Sequence, residues 1–335
     1  MNLNKRLNIL IVRVSSMGDV VHNMPMVADI LRHYPDANID WVVEEDYASL
    51  VRLNPGVRRV IPFALRRWRK SLWSPATRAE MRAFYASLQQ DAYDFVFDSQ
   101  GLFKTGAVMR MARLAPGGKR IGLGNATEGS GYEAISRIFH STSVPVGLHA
   151  HAVTRARLLG AAAFGYSIDH AADFAMQPPA DSYSWLPETP YAVFFHGTAR
   201  ASKQWRSADW VQVALLLADY GLPVLLPWGS QQELLQAQSL AARMPNAHVQ
   251  PKLSMMEAVM LAQRAALVIG VDTGLTHIAA AYCRPTIELY CDSPRWKTQG
   301  DWSDKIINLG DVGRRPGVAE VKAAITRLLG RPSSA

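Results

Sequence analysis

Short apolar runs alternate along the chain with longer segments in which apolar residues recur at helical spacing. The first run, residues 7–12, is nearly continuous, as expected for a strand buried on both faces of a parallel sheet. Residues 26–32 follow as a helix with Pro25 in its first turn. The same criteria predict strands at residues 38–44, 57–62, 94–98, 191–195, 224–227, 247–250, 267–270 and 286–290, and helices at residues 76–90, 103–114, 149–164, 207–220, 232–244, 255–265 and 318–329. This alternation predicts an α/β protein built on parallel sheets.

Two segments interrupt the alternation. Residues 117–147 are rich in glycine and polar residues, which predicts a long loop with one helical piece at residues 132–139. The prolines between residues 178 and 190 indicate a linker between two domains. We therefore predict Rossmann-like parallel-sheet domains at residues 1–178 and 191–335, facing each other across a cleft, with a linker at residues 179–190. The last helix could pack back on the first domain.

The composition is that of a globular protein with a large core. The chain has 335 residues, of which 49% are hydrophobic and 19% charged, so two domains are expected. Its two cysteines, Cys283 and Cys291, have no metal or redox spacing, which fits a reducing compartment. The sequence shows no signal peptide and no apolar run of about 18 residues. The expected location is the cytoplasm.

A basic cluster follows the third predicted strand. The net charge is +8, and Arg66, Arg67, Arg69 and Lys70 are interleaved with two tryptophans at residues 65–73. Three interpretations remain open: a solvated face, a phosphate site that suits arginine forks, or a patch that contacts anionic lipid headgroups. Nucleic acid is not expected as a partner, because no recognised binding motif accompanies the cluster.

The polar segment at residues 14–25 joins the first strand to the first helix. In an open α/β sheet such a segment lies at the carboxyl edge of the strands, where ligands bind. It contains one carboxylate, Asp19, directly after Gly18. Asp19 could serve the chemistry of a ligand at this edge, or Ser15, Ser16 and Asp19 could simply cap the helix.

The second half carries residues suited to phosphate. Asp272-Thr273-Gly274 lies between a strand and a helix, whose first N–H groups and dipole favour anions, and His277 lies one turn further along. Lys203 could neutralise a diphosphate leaving group without a metal ion. Glu233 could accept hydrogen bonds from ribose hydroxyls. The alternative is that these residues only cap helices or lie on the surface.

Several familiar motifs are missing from the sequence. It has no Gly-x-Gly-x-x-Gly after a strand and no P-loop, so a nicotinamide cofactor is not expected. It also lacks an Asp-x-Asp pair and zinc-ligand spacing, so no metal site is expected.

Seven motifs together resemble one family. They are Ser15-Ser16-Met17-Gly18-Asp19-Val20, Asp40-Trp41-Val42-Val43-Glu44-Glu45, Arg66-Arg67-Trp68-Arg69-Lys70, Asp98-Ser99-Gln100-Gly101-Leu102-Phe103-Lys104, Lys203-Gln204-Trp205, Leu226-Pro227-Trp228-Gly229 and Asp272-Thr273-Gly274-Leu275-Thr276-His277. Nearly the whole chain resembles the ADP-heptose glycosyltransferases, which have the GT-B fold. The basic cluster and the Asp98 motif favour the member that adds the first heptose.

The resemblance implies inverting transfer of L-glycero-D-manno-heptose from ADP-heptose to the first Kdo sugar of Kdo2-lipid A at the inner membrane, without a cofactor. It implies that Asp19 is the catalytic base and that Lys203 stabilises the departing phosphates. The implied nucleotide-sugar residues are Thr198, Lys203, Glu233, Leu253, Asp272, Thr273, Gly274 and His277. The implied acceptor residues are Ser16, Met17, Gly18, Arg66, Arg67, Arg69, Lys70, Gln100, Lys104 and Arg155.

Two segments depart from the family pattern. Residues 125–130 stand where an Arg-Glu-Pro segment is expected, and Arg120 is the candidate replacement for its arginine. Cys291-Asp292-Ser293 stands where a Gly-Pro-Thr turn is expected, and we assign that segment no role. Two other functions stay open: a later heptosyltransferase, or a non-catalytic protein that binds nucleotide-sugar or lipid A.

Overall fold

A computed structural model describes residues 6–180, 183–198 and 200–331. The chain divides into two compact units, Met1–Gln177 and Pro178–Ala335. Each unit contains one six-stranded sheet whose paired strands are all parallel. This confirms the predicted fold class of two Rossmann-like sheets.

The first sheet has the strand order β3-β2-β1-β4-β5-β6. Its strands are β1 (Asn8–Val12), β2 (Asn38–Glu44), β3 (Val57–Phe63), β4 (Tyr93–Asp98), β5 (Leu114–Leu123) and β6 (Thr142–Val144). The helices of this unit are α1 (Met17–His22), α2 (Met24–His33), α3 (Ala48–Val51), α4 (Leu65–Trp68), α5 (Pro75–Gln89), α6 (Phe103–Met111) and α7 (Ala152–Phe164), with 3-10 turns at Glu45–Tyr47 and Ala134–Phe139.

The second sheet has the order β12-β11-β10-β7-β8-β9. Its strands are β7 (Ala192–Phe195), β8 (Val224–Leu226), β9 (Ala247–Val249), β10 (Leu267–Val271), β11 (Thr286–Tyr290) and β12 (Ile306–Gly310). The helices are α8 (Ser207–Asp219), α9 (Gln231–Ala241), α10 (Met255–Arg264), α11 (Gly274–Ala281) and α12 (Val318–Leu329), with 3-10 turns at Ala201–Lys203 and Arg295–Lys297. The last helix, α12, packs within this unit, where Val321 and Ile325 join the core.

Three predictions of local structure were wrong. The segment at residues 117–147 is not one long loop: it contains β5 and β6, and its helical piece is a 3-10 turn. Apart from Ala115, only the last three residues of β5 are buried, so its first half lacks the apolar run that marks the other strands. The polar segment after β1 contains α1, and β12 was missed because its middle residues are only partly buried.

Both strand orders create a crevice at the carboxyl edge. In each sheet the first three strands are added one after another towards one edge of the sheet. The next three start beside the first strand and are added towards the opposite edge. Ligands of open α/β sheets bind at this switch point. It lies between β1 and β4 in the first unit and between β7 and β10 in the second. The segments that follow these four strands therefore define the two candidate sites.

Candidate active site

Asp19 lies after β1, at the third position of α1. Its Oδ2 atom accepts hydrogen bonds from the backbone N–H of Ser16 at 3.1 Å and from the Ser16 hydroxyl at 2.9 Å. The bond from the Ser16 N–H is the carboxylate half of a capping box, so Asp19 does help to cap the helix. The side chain remains about one-third exposed, at 32%, so a ligand can still reach the carboxylate.

Two largely buried arginines face the other oxygen of Asp19. Arg13 approaches Oδ1 at 2.7 Å and Arg155 at 3.9 Å. Burial opposes the charge of Asp19, but the two guanidinium groups outweigh it and hold its pKa well below the usual range. Burial and repulsion from Arg13 lower the pKa of Arg155 to about 10, so it too stays charged at neutral pH. The site thus holds one ionised carboxylate between two cations.

Neighbouring segments fix this arrangement. Arg13 donates to the carbonyl of Ser99, which follows β4, and Arg155 on α7 donates to the hydroxyl of Thr127 at 2.8 Å. The Gln100 side chain accepts from the N–H of Val14 at 3.0 Å. Arg155 therefore lies beside Asp19, Gln100 contacts the segment that leads from β1 to α1, and Thr127 comes from the segment that departs from the family pattern. Ser16, Met17 and Gly18 form the start of the same helix.

In the basic cluster at residues 65–73, one cation is paired with carboxylates of the described residues and three are not. Arg67 pairs with Glu45 at 2.9 Å and with Glu80 at 2.8 Å. The exposed side chains of Arg66, Arg69 and Lys70 form no ion pair with any other described residue. Three cations of this cluster are therefore available to an anionic ligand.

Buried Glu44, at the end of β2, connects this cluster to Lys104. The backbone N–H of Arg66 lies 3.3 Å from Oε1 of Glu44. Burial raises the pKa of Glu44, while Arg66 and Lys104 act in the opposite direction. Both cations are therefore close to one carboxylate at the carboxyl edge of the first sheet.

In the second unit, Lys203 and Asp272 form the central pair. Lys203 ends the 3-10 turn after β7, and Asp272 follows β10, so the switch point brings together residues that are 69 positions apart. Lys203 Nζ lies 2.5 Å from Oδ2 of Asp272. His277, in the first turn of α11, lies 3.1 Å from the other oxygen of Asp272. The structure therefore places these three predicted donor residues together.

A second carboxylate lies behind His277. Glu288 on β11 is fully buried, and its Oε1 is 2.9 Å from Nδ1 of His277. Burial alone would lower the pKa of His277, but Glu288 and Asp272 outweigh it and raise that pKa to about 10. Burial likewise opposes the charge of Asp272, yet His277 and Lys203 hold its pKa far below the usual range. At neutral pH the raised pKa of His277 and the lowered pKa of Asp272 therefore make this contact an imidazolium–carboxylate pair.

Glu233 caps α9 and also faces the segment after β7. Its Oε2 accepts from the N–H groups of Gly229 and Ser230 at 2.7 and 3.1 Å. A Cβ atom at Gly197 would lie 2.5 Å from its Oε1, so a larger residue at this position would displace the Glu233 carboxylate. Thr198 follows Gly197, which places Thr198 and Glu233 at the same edge.

The remaining predicted donor residues lie on two other segments. Thr273 is the N-cap of α11, Gly274 begins that helix, and partly exposed Leu253 follows β9.

Arg120 and Cys291, which were singled out at the two departures from the family pattern, have well-defined surroundings in the structure. Arg120 donates to the carbonyls of Met109, Arg110 and Ala112 at the end of α6, so it caps that helix. Cys291 and Asp292 line an open cavity of about 580 Å³, together with Arg206, Arg314 and Arg315. Burial raises the pKa of the Cys291 thiol to about 11, so it stays neutral.

The sequence singled out Asp19, Lys203, Asp272 and His277 as candidates but not Arg13 and Glu288, which contact two of them, nor Thr127 and Tyr290, which contact Arg155 and Glu288. None of the known motifs contains Arg13, Thr127, Glu288 or Tyr290. The sequence signals two of them only as charged residues next to an apolar run: Arg13 directly after β1 and Glu288 within β11.

Within the described ranges, no group of three or more metal-ligand side chains suits a metal ion. Over the same residues, no helix is both long and apolar enough to cross a membrane.

The chain was compared with known families and proteins. Residues 81–324 match Glycosyltransferase family 9 (heptosyltransferase). The chain is 38% identical to Lipopolysaccharide heptosyltransferase 1 of Pseudomonas aeruginosa over 289 residues, which are 85% of this chain and 78% of that protein. It is 38% identical to the protein of the same name from Escherichia coli K12 over 290 residues, 85% of this chain and 88% of that one.

Solved structures agree with the sequence comparison. Escherichia coli heptosyltransferase WaaC with ADP superposes with a TM-score of 0.83 at 33% identity, covering 96% of this chain and 100% of that one. The same enzyme with ADP-2-deoxy-2-fluoro heptose gives a TM-score of 0.78 at 34% identity, covering 96% and 99%. Each comparison extends over both units, so the likeness is not confined to one sheet.

Proposed function

Because this chain belongs to glycosyltransferase family 9, the heptosyltransferases, we propose that it adds the first heptose of the lipopolysaccharide inner core. It is a glycosyltransferase of lipopolysaccharide synthesis that uses ADP-heptose. We propose the first Kdo sugar of Kdo2-lipid A as its acceptor. The observation that carries the proposal is the pair of switch points, one presenting Asp19 and the other Lys203 with Asp272.

In this proposal the first unit binds the acceptor and Asp19 is the general base. Asp19 removes the proton from the acceptor hydroxyl as that oxygen attacks the anomeric carbon of heptose. The bond from that carbon to the ADP phosphate breaks on the opposite face, which inverts the configuration. Positive charge develops on the sugar in the transition state.

The arginines around Asp19 suit an anionic acceptor. Arg13 and Arg155 keep Asp19 ionised but also make it a weak base. A Kdo carboxylate near the same guanidinium groups would compete with Asp19 for them, and Asp19 would then become more basic once the acceptor is bound. Arg66, Arg69, Lys70 and Lys104 supply further cations for the carboxylates and phosphates of the acceptor.

The second unit binds ADP-heptose in this proposal. Lys203 stabilises the negative charge that develops on the departing diphosphate. The N-terminus of α11, with Thr273 and Gly274, offers N–H donors to a phosphate. Glu233 Oε1 is the candidate acceptor for ribose hydroxyls, while Thr198 and Leu253 line the same edge.

We propose that the reaction needs no divalent metal ion, because Lys203 and the α11 N-terminus provide the positive field at the leaving group. Turnover in excess EDTA should therefore equal turnover without EDTA. Restoration of a lost rate by Mg²⁺ or Mn²⁺ would contradict this account.

We propose that the enzyme works on the cytoplasmic face of the inner membrane through its first unit. Trp73 is 83% exposed and lies beside the basic cluster, with the guanidinium of Arg78 5.4 Å from its ring centroid. Exposed Trp next to cations suits an anionic membrane surface. Sedimentation with vesicles containing phosphatidylglycerol should pull down the wild type more than Trp73→Ser, and equal binding would exclude this residue as a contact.

An ADP-release assay tests the acceptor. The wild type with ADP-heptose should release ADP with Kdo2-lipid A and should be much slower with the heptosylated form. The reverse preference would identify a later heptosyltransferase. Failure to release ADP with either acceptor would favour a protein that binds without catalysis.

A further inference from the structure

Glu288 occupies an unusual position for a charged residue. It lies in the middle of β11, paired with Gly270 on β10 and Asn308 on β12, and it is fully buried. An isolated carboxylate in such a place would be strongly destabilising, so its partners must compensate its charge. The sequence offered no role for it.

Three donors satisfy this carboxylate. Tyr290 donates its hydroxyl to Oε2 at 3.0 Å, and the backbone N–H of Gly300 donates to the same atom at 2.8 Å. The remaining oxygen, Oε1, faces Nδ1 of His277 at 2.9 Å. The third contact links Glu288 directly to His277, a residue of the candidate donor site.

His277 joins Glu288 to Asp272. A neutral imidazole has one donor and one acceptor nitrogen, but both ring nitrogens of His277 face carboxylate oxygens. The doubly protonated imidazolium is the form that donates to both, in agreement with the raised pKa of His277. Thr298 is also near Asp272, at 3.4 Å, but it carries no charge.

We propose that Glu288 is a positioning residue of the donor site: it holds His277 as the imidazolium that shares Asp272 with Lys203. Lys203 and His277 then both contact the carboxylate of Asp272, and this shared contact orients Lys203 towards the departing diphosphate. This inference rests on the proposed function of Lys203. Without the charge of Glu288, His277 would be neutral over more of the pH range, and Asp272 would depend on Lys203 alone.

Glu288→Gln is the test, because the amide keeps the shape of the carboxylate and removes its charge. Loss of a charge-assisted hydrogen bond should move the alkaline limb of the kcat profile down by roughly 1–2 pH units. With the pKa of His277 lowered from about 10 by that amount, kcat at pH 9 should fall roughly two- to tenfold, with a smaller change in KM for ADP-heptose. The imidazole resonances of His277 in ¹⁵N NMR should titrate at correspondingly lower pH in the variant.

A double-mutant cycle separates positioning from packing. If Glu288 acts through His277, Glu288→Gln should cause no further loss of kcat in a His277→Gln background. Asp29→Asn is the matched control in the first unit, where buried Asp29 pairs with Arg157 at 2.7 Å and His170 at 2.9 Å. It should lower the melting temperature without moving the alkaline limb.

The possible results point to different failures. An unchanged His277 titration in Glu288→Gln, or additive losses in the cycle, would overturn the positioning role. If Glu288→Gln kept wild-type turnover and an unshifted pH profile of kcat, the positioning role would also be overturned, but the proposed function would still stand. Absence of ADP release by the wild type would instead overturn the proposed function itself.

Discussion

Replacing Asp19 with asparagine separates its two roles, because the amide oxygen can still accept from Ser16 while the base is lost. General-base help is worth about 100- to 10,000-fold, so kcat should fall by that factor, roughly 2.7–5.5 kcal/mol of barrier. ADP-heptose affinity should stay at the wild-type value, because the proposed donor residues belong to the second unit. An ADP-release assay gives kcat, and titration calorimetry gives the donor affinity.

The structure bounds the accompanying loss of stability. The capping contact with Ser16 is worth about 1 kcal/mol, which is the most that the variant can lose there because its amide oxygen can still accept from Ser16. The pair with Arg13 joins a buried cation to a carboxylate that is 32% exposed, so we expect about 1 kcal/mol rather than the 3–5 kcal/mol of a fully buried pair. A loss of about 2 kcal/mol from a typical stability of 5–15 kcal/mol leaves almost every molecule folded. Unfolding therefore cannot account for a hundredfold loss of activity.

Glu320→Gln provides the matched control. Glu320 also accepts a hydrogen bond from the backbone N–H of its N-cap residue, Gly317, at 2.9 Å and pairs with an arginine, Arg314, but it lies at the start of α12 and is not among the proposed site residues. Its variant should lose similar stability and keep its activity. If Asp19→Asn turned over within about tenfold of the wild type, the base assignment would be refuted. A parallel loss of donor affinity would indicate general damage instead.

Three further predictions follow from the same contacts. Lys203→Met should lower kcat by about 100- to 1,000-fold and weaken ADP binding, and a kcat within tenfold of the wild type in the ADP-release assay would contradict its role. Arg66→Ala should raise KM for the acceptor more than Arg67→Ala does, because Glu45 and Glu80 already engage Arg67; equal rises in acceptor and donor KM would argue against an acceptor site. The raised pKa of His277 stabilises the fold fully below its unfolded value of about 6.5, and this contribution is lost as the pH rises to about 10. Urea unfolding should therefore show a free energy of unfolding that declines across this range, with a flatter decline in His277→Gln; parallel curves would refute the linkage.

The sequence by itself determined the α/β class, two parallel sheets and most of their elements. Hydrophobic periodicity and helix-start signals are local, so β1, β4, β10, α6 and α11 could be located from neighbouring residues alone, whereas α1 was missed. The same local signals placed Asp19, Lys203 and Asp272 at strand ends. Strands with partly exposed residues, such as β5 and β12, gave no such signal.

Only the tertiary structure decided which charges meet. Arg155 lies far from Asp19 in the sequence and reaches it because α7 packs within the same unit, while Lys203 meets Asp272 because β7 and β10 are neighbours in the second sheet. Glu288 looked like one polar residue in an apolar strand until its contact with His277 was seen. Strand order and long-range packing create these pairs, and neither can be predicted from the spacing of nearby residues. The charge states of Asp19 and His277 depend on those pairs, and so were fixed by the fold.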